Sequence, residues 1–258
     1  MSQTVFITGA SAGFGAAAAR AFAMEGNRLV LTARRIEPLI SLQEELSSKC
    51  QVHIIPLDVR DREAVSGAII SLPAAFANVD ILINNAGLAL GLEPAHLVDL
   101  DDWDAMVDTN VKWLMYCTRA ILPGMVSRNA GHVINISSTA GEWPYPGGNV
   151  YGGTKAFVTQ FSRNLRADLL GTKVRVTCIQ PGMADTEFST VRFKGDEGKA
   201  ASVYSGTEPL TAEDIAETIV WVASRPPHVN INTLEMMCVD QAWGPFAIHR
   251  SEDSGKQR

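Results

Sequence analysis

Val5-Phe6-Ile7 runs into Thr8-Gly9-Ala10-Ser11-Ala12-Gly13-Phe14-Gly15, and residues 14–24 are alanine-rich. The short apolar run reads as a strand and the alanine-rich stretch as a helix. Between them, G-x-x-x-G-x-G allows a tight turn and leaves backbone N–H groups at the helix start able to meet a pyrophosphate. The spacing departs from the usual G-x-G-x-x-G, so a glycine turn without a ligand stays open on this motif alone. On the dinucleotide reading, Gly9, Ser11, Ala12, Gly13, Phe14 and Gly15 hold the cofactor.

The strand–helix–strand rhythm continues along the chain. Strands are predicted at 28–31, 52–55, 79–83, 132–136, 174–179 and 233–239, and helices at 62–70, 103–125, 150–170 and 212–223. Apolar strands separated by helix-length segments belong in a parallel sheet covered on both faces. The expected fold is therefore α/β, a doubly wound, Rossmann-type sheet of about seven strands in a single domain spanning 1–250. Residues 183–209 turn polar and irregular just after a strand end, where open α/β sheets place ligands, and are expected to form a substrate lid. Residues 251–258 read as a disordered tail. The aromatic segment 243–250 is too apolar to dangle and is expected to dock on a neighbouring subunit near its active site.

The 258 residues are 46% hydrophobic and 19% charged, with a formal net charge of −6. That balance supplies no cationic field for nucleic acid or an anionic membrane. No long apolar run or basic leader appears, so a cytoplasmic protein without a membrane partner is expected. Cys50, Cys117, Cys178 and Cys238 form no C-x-x-C or Cys/His cluster, which argues against a metal site or a disulfide framework and for reduced core thiols.

A sheet of this kind selects its cofactor at the end of the second strand, where an acid would accept a ribose 2′-hydroxyl. Here the sequence is Leu31-Thr32-Ala33-Arg34-Arg35, with no acid before Glu37. Two guanidiniums suit a 2′-phosphate, so Arg34 and Arg35 point to NADP(H). Asp58-Val59 follows the third strand and is placed to meet the adenine edge. Asn84-Asn85-Ala86-Gly87 follows the fourth, where the ribose would lie, with Asn85, Ala86 and Gly87 as contacts.

Tyr151-Gly152-Gly153-Thr154-Lys155 places a phenol and an ammonium one helical turn apart on one face. Bringing a phenol from a pKa of about 10 to about 7 needs roughly 4 kcal/mol, which a fixed cation and a positively charged nicotinamide can supply. Ser138, within Ser137-Ser138-Thr139 at a strand's end, can donate to a developing alkoxide; Ser137 and Thr139 compete with it on chemistry alone. Asn110 sits inside the long predicted helix, where it is a poor helix former. A kink, a proton-relaying water and a satisfied core amide all remain open for it.

Assembled, the Gly9, Gly13 and Gly15 motif, Asn84 to Gly87, Asn110, Ser138, Tyr151, Lys155 and Pro181-Gly182 resemble the short-chain dehydrogenase/reductase family over nearly the whole chain. The resemblance implies a catalytic tetrad of Asn110, Ser138, Tyr151 and Lys155. Tyr151 would donate the proton in reduction and Lys155 would also bind the nicotinamide ribose. It puts Tyr151, Lys155, Pro181, Gly182 and Thr186 at the cofactor, Thr186 near the carboxamide. The stretches Gly141 to Tyr151, Val191 to Asp196 and Val229 to Met237 are similar to the NADP-dependent 3-hydroxy acid (serine) dehydrogenase branch and its sulfoacetaldehyde reductase relatives. That likeness implies a homotetramer reducing small anionic aldehydes or oxidising 3-hydroxy acids. Alternatives are a reductase of neutral ketones such as 3-ketoacyl or steroid substrates, an epimerase, and a non-catalytic NADP-binding sensor.

An anionic substrate in an acidic protein needs a local cation. The polar segment offers Arg192 and Lys194, and the end of the chain offers Arg250. Arg192 ranks first because a guanidinium can hold a carboxylate or sulfonate through two parallel bonds. Ser138, Tyr145, Asn149, Tyr151 and Met183 complete the expected substrate contacts, with Trp143 and Phe246 enclosing the pocket or packing at an interface.

Overall fold

Every residue of the first strand, Thr4–Thr8 (β1), is buried, and alternate positions serve opposite faces of the sheet. The computed structural model describes residues 2–244. In chain order β1 is followed by Gly13–Met24 (α1), Arg28–Ala33 (β2), Ile36–Leu46 (α2), Val52–Pro56 (β3), Arg62–Ile70 (α3) and Ile81–Asn84 (β4). Then come Leu100–Val107 (α4), a π turn Asp108–Lys112, Trp113–Arg128 (α5), Gly131–Ile136 (β5), Asn149–Asp168 (α6) and Val174–Pro181 (β6). Glu187–Arg192 (α7), Glu197–Ser202 (α8), Ala212–Ala223 (α9) and Thr233–Met236 (β7) complete the described chain.

The seven strands are all parallel, in the order β3-β2-β1-β4-β5-β6-β7. Val5 and Ile7 pack with Leu29, Leu31 and Ile83 against α1 and α9 on one face, while Phe6, Val30, Leu82 and Val133 pack against α5 and α6 on the other. Each such fully buried aliphatic side chain contributes about 1.5–3 kcal/mol. Strand order reverses direction between β1 and β4, and such a switch opens a crevice at the carboxyl ends of the strands. The doubly wound α/β domain read from the sequence is the fold observed.

Four details differ. α2 was not read as a helix, although Leu39, Leu42 and Leu46 give it a buried stripe at helical spacing. The helix expected at 103–125 runs from Leu100 to Arg128 and is interrupted by the π turn; it ends at Asn129, whose φ of 50° is left-handed. The polar segment 183–209 holds two short helices, and the Ala184–Leu210 bridge closes its base. β7 stops at Met236, three residues short of the expected end. Cys117, Cys178 and Cys238 are buried, Cys50 is half-buried, and all four are free. No described helix is long and apolar enough to cross a membrane.

Candidate active site

The crevice at the β1/β4 switch is a cavity of about 500 Å3 that runs from the glycine turn to Arg192. At one end, Gly9 and Gly13 adopt φ of 64° and 50°, left-handed values that glycine takes at least cost. Ala12 caps α1 without a side-chain acceptor, so no side chain competes for the N–H groups of the first turn. Asn85 braces this turn: its Nδ2 donates to the Thr8 and Gly9 carbonyls at 2.9 and 3.2 Å, and its backbone N–H donates to Thr8 Oγ1. Asn84 lies beneath, donating to Thr118 and Asn135.

Arg34 lines the cavity at the end of β2. Arg35 reaches across to the segment after β6, its Nη2 2.8 Å from Glu187 Oε2 and 3.4 Å from Ser11 Oγ. Leu57 and Val59 form the adjoining wall. The Asp58 carboxylate is bound to Arg60 at 2.6 Å, which holds it below the usual carboxylate range, and Asp58 is not among the residues lining the cavity. Thr186 caps α7, accepts from Phe188 N–H, and faces Gly13 across the cleft.

At the centre, Tyr151 and Lys155 project from the first turns of α6 and are 8% and 5% exposed. Lys155 Nζ lies 5.8 Å from the Tyr151 ring centroid and donates to Ile136 O at 2.9 Å. Gly87 lets the loop after β4 come close: a Cβ there would lie 3.3 Å from Asn110 Oδ1 and 3.5 Å from Lys155 Nζ. Of the three hydroxyls after β5, Ser137 donates to Lys155 O and pairs with Thr159, and Thr139 opens a buried 3-10 turn. Ser138 lines the cavity with Tyr151 and acts to lower the phenol's pKa; its hydroxyl accepts from Ala140 N–H at 3.1 Å and donates to Pro181 O at 3.3 Å.

Asn110 lies in the π turn, an irregularity that re-aims side chains within a helix. Its Nδ2 donates to Leu88 O at 2.7 Å and to Thr154 Oγ1 at 3.0 Å, and its Oδ1 accepts from Leu88 N–H at 2.8 Å. Both amide donors are therefore engaged in fixing the loop at Leu88 beside α6. Burial pushes the Tyr151 phenol up to about 12, against the lowering effects of Arg192 and Ser138. It also pulls Lys155 down to about 8. Desolvation is the largest influence on the phenol and favours its protonated form.

At the far end, Arg192 leaves the last turn of α7 and lies over two rings, its Cζ 5.1 Å from the Tyr151 centroid and 5.2 Å from that of Phe188. One terminal nitrogen donates to Tyr145 Oη at 3.2 Å, and the buried Nε has no partner among the described residues. Met183 lines the cavity, its N–H donating to Gln241 Oε1. Lys194 is turned outward and paired with Asp102 at 2.8 Å. Asn149 lies outside the cavity lining, contrary to the substrate role read for it: its side chain bonds Trp103, Val150 and the Glu93 carbonyl. Trp143 is half-exposed, donates to Glu235 and packs on Trp243 rather than lining the cavity. Phe246 and Arg250 lie outside the described residues.

A family model described as short chain dehydrogenase matches residues 3–197. The chain belongs to the short-chain dehydrogenase family. This dehydrogenase is 58% identical over 247 residues to the NADP-dependent 3-hydroxy acid dehydrogenase YdfG of Escherichia coli (strain K12), covering 95% of the chain and 99% of that relative. It is 54% identical over 251 residues to sulfoacetaldehyde reductase 2 of Chromohalobacter salexigens, covering 97% and 100%. It superposes on the closed form of serine dehydrogenase complexed with NADP+ with a TM-score of 0.94 and 56% identity, covering 96% of this chain and all of that one. For a crystal structure of serine dehydrogenase from Escherichia coli the TM-score is 0.81, with 52% identity and 93% of this chain covered.

The dehydrogenase site also contains residues that sequence reasoning did not name: Leu88, Phe188, Tyr204 and Gln241. Phe188 packs on Tyr151 with centroids 5.6 Å apart. Gln241 arrives from beyond β7 to meet Gly182 and Met183, a long-range pairing without a local signal. The glycine turn itself yields a test. A Cβ on Gly15 would overlap the Gly9 carbonyl and stand 2.7 Å from Asn85 Nδ2. Gly15→Ala is therefore expected to weaken NADPH binding at least about tenfold, a loss of roughly 1.4 kcal/mol, measured by nucleotide fluorescence titration. An unchanged affinity would show that the turn yields without disturbing the nucleotide.

Proposed function

We propose that this dehydrogenase is an NADP(H)-dependent oxidoreductase that interconverts small anionic aldehydes and their hydroxy acids. Sulfoacetaldehyde or malonic semialdehyde would be reduced, and serine or other 3-hydroxy acids oxidised. The observation that carries the substrate class is Arg192, a guanidinium without an ion-pair partner among the described residues, set into the cavity against Tyr151. The names of the relatives support the same class.

The nucleotide end fits NADP(H): α1 presents amides without a side-chain cap, Arg34 lines the cavity at the end of β2 as a cation for a 2′-phosphate, and Arg35 beside it would have to leave Glu187 to join it. Bound there, the cofactor supplies or accepts the hydride. Tyr151 delivers its phenolic proton to the carbonyl oxygen in reduction and withdraws it in oxidation. Ser138 donates to the same oxygen as charge develops on it. Lys155 holds the nicotinamide ribose and favours the phenolate. Asn110 fixes the Leu88 loop beside α6, and its carbonyl oxygens remain able to accept from a water that resupplies protons. Residues 183–209 act as the substrate lid. The protein works as a homotetramer in the cytoplasm, and the aromatic segment starting at Trp243 reaches a neighbouring subunit's site.

The test compares initial rates of NADPH oxidation on sulfoacetaldehyde, malonic semialdehyde and a neutral aldehyde of similar size, for wild type and Arg192→Ala. A charge-assisted hydrogen-bonded pair is worth about 1.5–3 kcal/mol, so KM for the charged aldehydes should rise roughly 10- to 100-fold in the variant. KM for the neutral aldehyde should change far less. Equal effects on both would remove the anion-clamp reading and leave a reductase of neutral carbonyls.

A further inference from the structure

Arg192 touches the proton donor as well as the substrate space. Its guanidinium lies over the face of the Tyr151 ring, which Phe188 flanks at 5.6 Å, and is steadied by the Tyr145 hydroxyl. The backbone on either side is fixed too: Gly91 N–H donates to Arg192 O at 2.9 Å, and Lys194 is tied to Asp102. Neighbouring cations are neutralised, Arg35 by Glu187 and Lys194 by Asp102, whereas Arg192 makes no ion pair among the described residues. Its charge therefore acts on the adjoining phenol without a neutralising partner among the described residues. The titratable and polar groups facing that phenol are Arg192 from α7, Lys155 from α6, Tyr145 from the loop before α6, and Ser138 after β5.

We propose that Arg192 is a positioning residue for proton transfer: its guanidinium, lying over the Tyr151 ring, stabilises the phenolate, and an anionic substrate that engages it cancels that effect. The second half rests on the anion-clamp reading above; the first does not. With a neutral aldehyde the guanidinium stays uncompensated and stabilises the phenolate. With sulfoacetaldehyde the sulfonate neutralises it, and the phenol keeps its proton until the hydride reaches the carbonyl carbon. The O–H bond of Tyr151 then breaks as the new O–H of the alcohol forms, and solvent restores the proton to the phenolate. The charge at one end of the substrate thus tunes the acid acting on the other.

The experiment is the pH profile of kcat for aldehyde reduction, whose alkaline limb marks loss of the phenolic proton in the bound complex. In wild type this limb is expected about one unit lower for a neutral aldehyde than for sulfoacetaldehyde. In Arg192→Gln the neutral-aldehyde limb should move up to meet the other, and Arg192→Lys should keep it low. The two wild-type profiles need no variant and so stand even if a substitution fails to fold. Coincident limbs in wild type would overturn the substrate half, and a limb unmoved in folded Arg192→Gln would overturn the acidity role. A raised KM for sulfoacetaldehyde with both limbs unmoved would leave the clamp and remove this inference. Shifted limbs with an unchanged KM would support the acidity role and remove the clamp.

Discussion

Tyr151→Phe is expected to lower kcat about 10^2- to 10^4-fold in both directions, the range associated with a positioned general acid or base, while NADPH binding changes little. The substitution removes one oxygen and leaves the ring that Phe188 and Arg192 pack against. The remaining α6 contacts, and the Lys155 bond to Ile136 O, do not depend on that oxygen. A phenol held protonated by burial is suited to give its proton to a carbonyl oxygen, and Ser138 beside it is suited to hold that oxygen. Stopped-flow single turnovers with bound NADPH separate the chemical step from cofactor affinity. Undiminished turnover in a folded variant would transfer proton donation to Ser138 or water. A wild-type protein that binds NADPH and turns over no carbonyl would instead support the sensor alternative.

Lys155→Met is expected to divide stability from activity. The ammonium is buried, its one acceptor among the described residues is a backbone carbonyl, and burial pulls its pKa from 10.5 down to about 8. Below pH 8 the folded state must carry a charge that water would hold better. As pH rises from about 8 towards 10.5 the folded protein releases this proton before the unfolded chain does, so wild-type stability from this group increases across that window. A methionine of similar length removes the buried charge. We expect a higher Tm at pH 7, by an amount corresponding to about 1–4 kcal/mol, shrinking as the pH passes 8, together with a loss of turnover of about 10^2-fold or more. Thermal melts at several pH values with parallel rate measurements check both parts. A lower Tm in the variant would mean that the lysine's hydrogen bond outweighs its desolvation.

What the sequence revealed depended on whether backbone or tertiary contacts made the demand. The β1–α1 turn was legible because its conformation requires glycine at Gly9 and Gly13. Tyr151 and Lys155 were legible because one helical turn brings them to one face. Arg34 and Arg35 followed from their place at a strand end. The position of Arg192 in the cavity followed from charge: an acidic protein needs a local cation for an anionic ligand. Side-chain direction was harder to read. Asn149 stands beside the Tyr151 segment but turns to Trp103 and Glu93, and Asp58 turns to Arg60 two residues on. The amide of Asn110 stands out as a misfit inside a helix, yet its partners, Leu88 and Thr154, lie 22 and 44 residues away. Gln241 carried no signal because Gly182 and Met183 are its neighbours only after β6 and β7 pair. The leucine stripe of α2 is a short signal, three buried positions in eleven residues.

The helix that bears the phenol and the helix that bears the guanidinium are anchored very differently. α6 buries seven residues from Tyr151 to Leu165, whereas α7 and α8 bury one each, Ser189 and Ala200. Amide protons in well-anchored helices exchange with solvent only when the whole domain unfolds, while those in lightly anchored segments exchange through local opening. The amides of α6 around the proton donor are therefore expected to be the slower to exchange. Those of α7, which carries Arg192, are expected to exchange sooner, so hydrogen exchange would separate the two sides of the site by rate.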